Sequence, residues 1–155
     1  MINNKRVWRY IPVKYLDMKH ENIGKYKVLV PRSNGSGALG EVLSTPLIGK
    51  PLIGKPLIGY TQTFIGIGAF STSFEAKSAL KYIKSKFCRT MLGILKVTQD
   101  NNRETWRLVP LQDFTHNSDI DWTKSVSDID KQLYKKYNLS KDETDFIEAK
   151  VQDME

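Results

Sequence analysis

The sequence is poor in the residues that carry most metal, redox and nucleophilic chemistry. Its one cysteine, Cys88, excludes a disulfide within the chain. Two histidines, His20 and His116, together with that cysteine supply no ligand set at zinc spacing. No apolar run approaches the roughly 18 residues that a membrane helix needs. Met1 to Arg6 has no apolar stretch behind it and does not read as a signal peptide. These absences lead us to expect a soluble cytoplasmic protein without a membrane partner.

What is present suffices for a core. The 155 residues fit one domain with room for a small appendage, and 40% of them are hydrophobic. The net charge is +7, and it is unevenly spread. Residues 1–112 hold 18 Lys and Arg against 6 Asp and Glu, whereas residues 113–155 hold 6 against 11. A basic body of this kind suits a polyanion, with nucleic acid foremost. The acidic tail would be repelled by the same partner, so it is expected to pack on protein or face solvent.

Alternating aromatic, β-branched and basic residues predict a strand from Val7 to Ile11, stopped by Pro12. Tyr26–Val30 predicts a second strand, followed by the polar loop Arg32-Ser-Asn-Gly-Ser-Gly. Residues 46–60 repeat one pentamer three times, PLIGK PLIGK PLIGY. A proline in each unit bars a central strand, and three units are too few for a solenoid. An extended loop or an edge excursion is expected there. TQTFIGIGAF, residues 61–70, predicts a strand with Phe64, Ile65 and Ile67 packing and with Gly66 and Gly68 on one face.

Thr72-x-x-Glu75 is a capping box. Ala76, Ala79, Leu80, Ile83, Phe87, Met91, Ile94 and Leu95 then recur at helical spacing. One long helix to about Gln99 is expected, with Gly93 as the place where it kinks or splits. Lys77, Lys81 and Lys84 form one stripe on it, and Lys86, Arg89 and Lys96 form another. Trp106–Leu111 reads as a further strand. Ser125-x-x-Asp128 and Ser140-x-x-Glu143 open two short helices in the tail, with Asn138 as a left-handed stop between them. Phe146, Ile147 and Val151 are expected to point inward. The class is α+β: a mixed or antiparallel sheet packed on one long helix, with a C-terminal two-helix appendage. The basic body is taken as residues 1–112 and the acidic tail as residues 113–155, packed on the same domain.

Several motifs are weaker than their letters. Gly35-x-Gly37-x-x-Gly40 matches a dinucleotide fingerprint, but Pro46 arrives before any helix can follow, and Tyr60 stands where an acidic residue would be needed. A loop is expected instead. Glu75-Ala-Lys77 and Glu148-Ala-Lys150 resemble half of a nuclease motif, yet both fall in expected helices without an upstream acidic partner on a strand. Cys88 falls within the long helix and reads as a packing residue.

The remaining signals point to binding. Arg32, Ser33, Asn34 and Ser36 lie on a loop rich in backbone amides, and Thr61, Gln62 and Thr63 lead into a strand. Arg, Asn and Gln can make paired hydrogen bonds to base edges. Lys77, Lys81, Lys84, Lys86, Arg89 and Lys96 are candidates for phosphates, which position a protein without reading sequence. A solvated helix face is the alternative for the lysine stripes. All thirteen are therefore candidate DNA contacts.

KYKVLVPRSNGSGALGE, TQTFIGIGAFSTSFEAKSALKYIKSKF, RTMLGILKVTQDN, WRLVPLQDFT and SDIDWTKSVSDIDKQLYKKYNLS follow one another along the chain. Over about residues 5–152 they resemble the C-terminal part of adenine-specific DNA methyltransferases of type II restriction-modification systems. In that family this part follows the catalytic domain and selects the target sequence. The resemblance implies double-stranded DNA and a methyltransferase catalytic domain, in cis or in trans, as partners. It also implies that S-adenosylmethionine and the flipped adenine belong to that other domain. This chain has no adjacent prolines, so it lacks the Asn/Asp-Pro-Pro-aromatic motif of adenine methylation, and no enzymatic activity or cofactor is expected of it. The family pattern has fewer PLIG units, so two of the three copies read as an insertion. A cloned fragment, a split subunit and a gene remnant all fit. A protein-docking module, using the acidic tail and the repeats, is the alternative reading.

Overall fold

The computed structural model describes residues 7–44 and 51–154. Tyr26–Pro31 forms strand β1, Leu52–Gly54 forms β2 and Phe64–Phe70 forms β3. They pair antiparallel in the order β2-β1-β3. The central strand is buried from Lys27 to Pro31. Even Lys27 is enclosed, its Nζ donating to the Asn22 carbonyl at 2.7 Å. Its cross-strand partner is Gly54, where an added Cβ would stand 3.0 Å from the Lys27 side chain. The glycine of the pentamer thus makes room for the lysine stem.

The repeat sequence takes two shapes. Pro51–Lys55 carries β2, an edge strand, as expected where proline cannot donate to a ladder. Pro56–Tyr60 turns instead, with Leu57 at φ 63° and its N–H donating to the Ile23 carbonyl. The first copy, residues 46–50, lies outside the described residues. In β3 the register slips: Val28 faces Ile67 but Tyr26 faces Phe70. The extra residue forms a bulge at Gly68, whose φ of 78° suits glycine. Alternation therefore fails beyond Ile67. At Gly66 the Tyr60 ring fills the space of the missing side chain.

The expected long helix is two helices. Ser73–Lys84 forms α1 and Lys86–Leu95 forms α2, broken at Ser85 rather than at Gly93. Ser85 sits at φ −60°, ψ 149°, outside helical space. Its N–H ends α1, and its Oγ accepts from the Cys88 N–H to begin α2. The new helix start is completed from afar: the Asp130 carboxylate accepts the N–H groups of Lys86 and Phe87, at 3.0 and 2.9 Å. Thr72 caps α1 through the Glu75 N–H, as its spacing predicts.

Val126–Lys136 forms α3 and Lys141–Lys150 forms α4, capped by Ser125 and Ser140, with Asn138 at φ 52° between them. They are not an appendage. Ile129, Leu133, Tyr134, Ile147 and Val151 share one core cluster with Tyr82, Phe87, Cys88, Ile120 and Trp122. A second cluster joins Val28 and Val30 of the sheet to Ala79, Ile83 and Leu92 of the helices. The α1–α2 layer therefore packs against the sheet and against the tail, giving an antiparallel α+β fold. Phe146, expected inward, is 50% exposed.

Two expected strands are absent. Arg103–Trp106 is a 3-10 turn capped by the Asn102 side chain, and the chain beyond it joins no ladder. Residues 7–12 are irregular and exposed, followed by a 3-10 turn at Val13–Tyr15. Neither segment joins the three-stranded sheet, whose described order is β2-β1-β3.

Candidate nucleic-acid interface

One end of the sheet gathers two of the expected binding groups. β1 ends at Pro31 and β3 begins at Phe64, so antiparallel pairing brings the residues after β1 beside those before β3. The Arg32 N–H donates to the Thr63 carbonyl at 3.0 Å. Ser33 bridges to Asp100, and the Asn101 N–H donates to the Arg32 carbonyl at 2.7 Å. Arg32, Thr61, Gln62 and Thr63 are all exposed, and Ser33 is half-buried. The hydroxyls of Thr61 and Thr63 share a 2.7 Å hydrogen bond. The Arg32 Nε lies 3.6 Å from the Asp100 carboxylate, with 54% of the arginine side chain in solvent. An exposed pair of this kind contributes about 0–1 kcal/mol and can be exchanged for another anion. The Asp100–Arg103 segment carries no signal of its own for this position in the sequence, since only the tertiary fold brings it to Arg32 and Ser33. It brings exposed Arg103 to the same end.

The glycine loop behaves differently. Gly35, Gly37 and Gly40 all have positive φ, at 56°, 95° and 80°. That conformation turns successive amides inward, a geometry that suits an anion. The anion is already supplied by the chain. The Glu41 carboxylate accepts from the Ser36 N–H, the Ser36 Oγ and the Gly37 N–H, at 3.0 to 3.2 Å. Burial pushes this carboxyl's pKa up, but those hydrogen bonds and the nearby Lys96 charge bring it below the ordinary value. Ser36 is thus engaged within the loop. Asn34 is buried at 2% exposure, donating to the Val42 carbonyl and accepting from Asn101 Nδ2. Its assignment as a base contact is corrected: reading a base would require breaking that buried network.

The basic stripes turn inward for the most part. Lys81 Nζ donates to the carbonyls of Trp122, Thr123 and Lys124, tying α1 to the tail. Lys86 pairs with Glu148 at 2.7 Å and Asp153 at 3.1 Å. Burial lowers the pKa of this lysine, but the two acids carry it above its usual value. Arg89 is buried and donates to the carbonyls of Lys84, Gly40 and Gln152. Lys96 is buried, donating to the carbonyls of Asn34 and Thr98, and burial lowers its pKa. For these four, the phosphate role expected from helical spacing gives way to a structural one. Arg89 and Lys96 are themselves buried, so drawing them away from their carbonyls carries a high desolvation cost, whereas Lys81 and Lys86 are held by more exposed carbonyls and carboxylates. Lys84 is half-buried, and Lys77 is exposed on α1. No hydrogen bond or ion pair joins Lys77 to the Arg32 end among the described residues.

The motif-like glutamates also serve the fold. Glu75 closes the α1 cap through Ser71 and Thr72, and Glu148 holds Lys86 and the Tyr134 hydroxyl. Cys88 is fully buried, and burial pushes its thiol pKa up. Among the described residues, no group of three or more His, Cys, Asp or Glu could hold a metal ion. Nor is any helix there long and apolar enough to cross a membrane. Comparison with family models, with curated proteins and with solved structures finds no match.

Proposed function

We propose that this chain is a DNA target-recognition module, cytoplasmic, acting with an adenine-specific methyltransferase catalytic domain in cis or in trans. One observation carries the reading. Strand pairing places Arg32, Thr61, Gln62 and Thr63 together at an exposed sheet end, with Arg103 alongside. Arginine and glutamine are the side chains that read guanine and adenine edges through paired hydrogen bonds. Threonine hydroxyls and arginine also hold phosphates. The resemblance to methyltransferase recognition regions supports the same assignment. S-adenosylmethionine and the adenine pocket would lie on the catalytic domain, and no methyl-transfer step falls to residues of this chain.

The test is selection from a random duplex pool across a salt series, with sequencing of the retained DNA. An enriched short motif whose binding falls steeply with salt is the expected result. Binding without enrichment would leave a basic clamp that needs its catalytic domain for selectivity. No binding at low salt would remove the DNA reading for this chain and favour a docking module. One observation supports that second reading: Leu57, in the third pentamer, is 58% exposed at a turn beside β2.

A further inference from the structure

Two surfaces of opposite charge are left uncovered on the molecule. The first is a cleft of about 440 Å³ between α2 and α4. Phe87, Met91, Phe146 and Ile147 wall it, and Asp142 and Glu143 stand at its rim. Phe146 leaves half its surface in solvent there. A volume of about 300–1000 Å³ is typical of sites that enclose bulky apolar groups.

The second surface is the segment of residues 7–15. Trp8 is 60% exposed, Tyr10 101% and Tyr15 70%, with Ile11 also exposed. Arg9 and Lys14 stand among them, and from Val7 to Leu16 there is no acidic residue. A run of uncovered aromatics of this size marks an interaction site. Within one copy, neither surface covers the other. The chain that follows this segment is held beside β2, where Leu57 donates to the Ile23 carbonyl, whereas α2 and α4 build the cleft.

We infer that segment 7–15 of one copy docks into the α2–α4 cleft of a second copy. Trp8 and Tyr10 enter the apolar floor, and Arg9 and Lys14 meet Asp142 and Glu143 at the rim. The contact joins two different patches, so it is heterologous. Each associated pair keeps one open segment and one open cleft, and the chain extends rather than closing at a dimer. This inference does not depend on DNA binding.

The experiment is sedimentation velocity of the full chain over a concentration series. Wild type is expected to grow beyond a dimer as concentration rises, more strongly at low salt. Trp8→Ala with Tyr10→Ala removes the segment, and Phe146→Glu spoils the cleft. Each variant alone is expected to associate about 30-fold more weakly or worse, as for loss of a buried anchor. Mixed together they are expected to form a 1:1 complex that grows no further, because one supplies the segment and the other the cleft. Phe146 is half exposed, so folding should survive its substitution. Should that variant unfold in near-ultraviolet circular dichroism, Asp142→Lys, which leaves the Ser140–Glu143 cap in place, replaces it and Arg9→Glu should restore the contact. A chain that stays monomeric throughout would overturn the inference. So would undiminished association of the Trp8/Tyr10 variant, or failure of the mixed variants to pair.

Discussion

Arg89 and Arg32 belong to the same basic part of the chain and do opposite things. In the α1–α2 layer, Arg89 is 2% exposed and donates to carbonyls from α1, the glycine loop and the C-terminal segment. At the open end of the sheet, the Arg32 side chain is 54% exposed and forms a loose pair with Asp100. Lys81, Lys86 and Lys96 follow Arg89, whereas Gln62 and the two threonines follow Arg32. The difference shows that helical spacing of lysines is not by itself a phosphate footprint. The acidic tail and the loop carbonyls reach these cations first.

That contrast can be broken most severely through the tail. Leu133 is fully buried beside the helix layer, so Leu133→Ala should cost about 2–5 kcal/mol in urea denaturation. A loss under about 0.5 kcal/mol would mean that the tail is a surface attachment. Next comes Arg89→Met, which keeps the stem but removes the charged donors. About 3 kcal/mol of stability should go, with DNA affinity of the folded protein unchanged. Arg32→Ala combined with Gln62→Ala should do the reverse. Titration of a selected duplex should weaken by about 1–3 kcal/mol, while the urea midpoint stays put.

The smallest expected effect is on pH. Burial raises the Asp130 carboxyl to about 6, against the two N–H groups and Arg89 that favour its charge. An unfolded aspartate titrates near 3.9. The folded state therefore binds this proton more readily, and stability should rise by about 1 kcal/mol as pH falls from 7.5 to 5. The gain should be lost again above pH 6 and should be absent in Asp130→Asn. Glu41 acts in the other direction. Its lowered carboxyl contributes above the unfolded value, and that contribution fades as pH falls below about 4. Asp130 should thus add stability as pH falls toward 5, and Glu41 should withdraw its contribution as pH falls further.

Much of the fold was legible because its signals are local. Thr72, Ser125 and Ser140 cap helices through the backbone N–H three residues on, a spacing visible in one dimension. Asn138 stops α3 where few other residues tolerate positive φ. Proline in each pentamer points to an edge, and β2 lies at one. The break at Ser85 was hidden because Ile83 and Phe87 keep helical spacing across it. The partner that makes the break affordable, Asp130, comes from 43 residues away. The inward turn of Lys81, Lys86 and Lys96 was hidden for the same reason, since their acceptors lie on loops and on the tail. At the candidate site, the sequence named Arg32 and Gln62 separately. Only antiparallel pairing brings them to one place, and it also adds Asp100 and Arg103.

The two basic regions can be set against each other on one selected duplex. Wild type, Arg32→Ala/Gln62→Ala and Lys86→Met would be titrated in parallel across a salt series. The sheet-end variant is expected to lose sequence preference, and Lys86→Met to keep both preference and salt slope. Loss of preference and a shallower salt slope in Lys86→Met, with the sheet-end variant unaffected, would contradict this and return the interface to the helix.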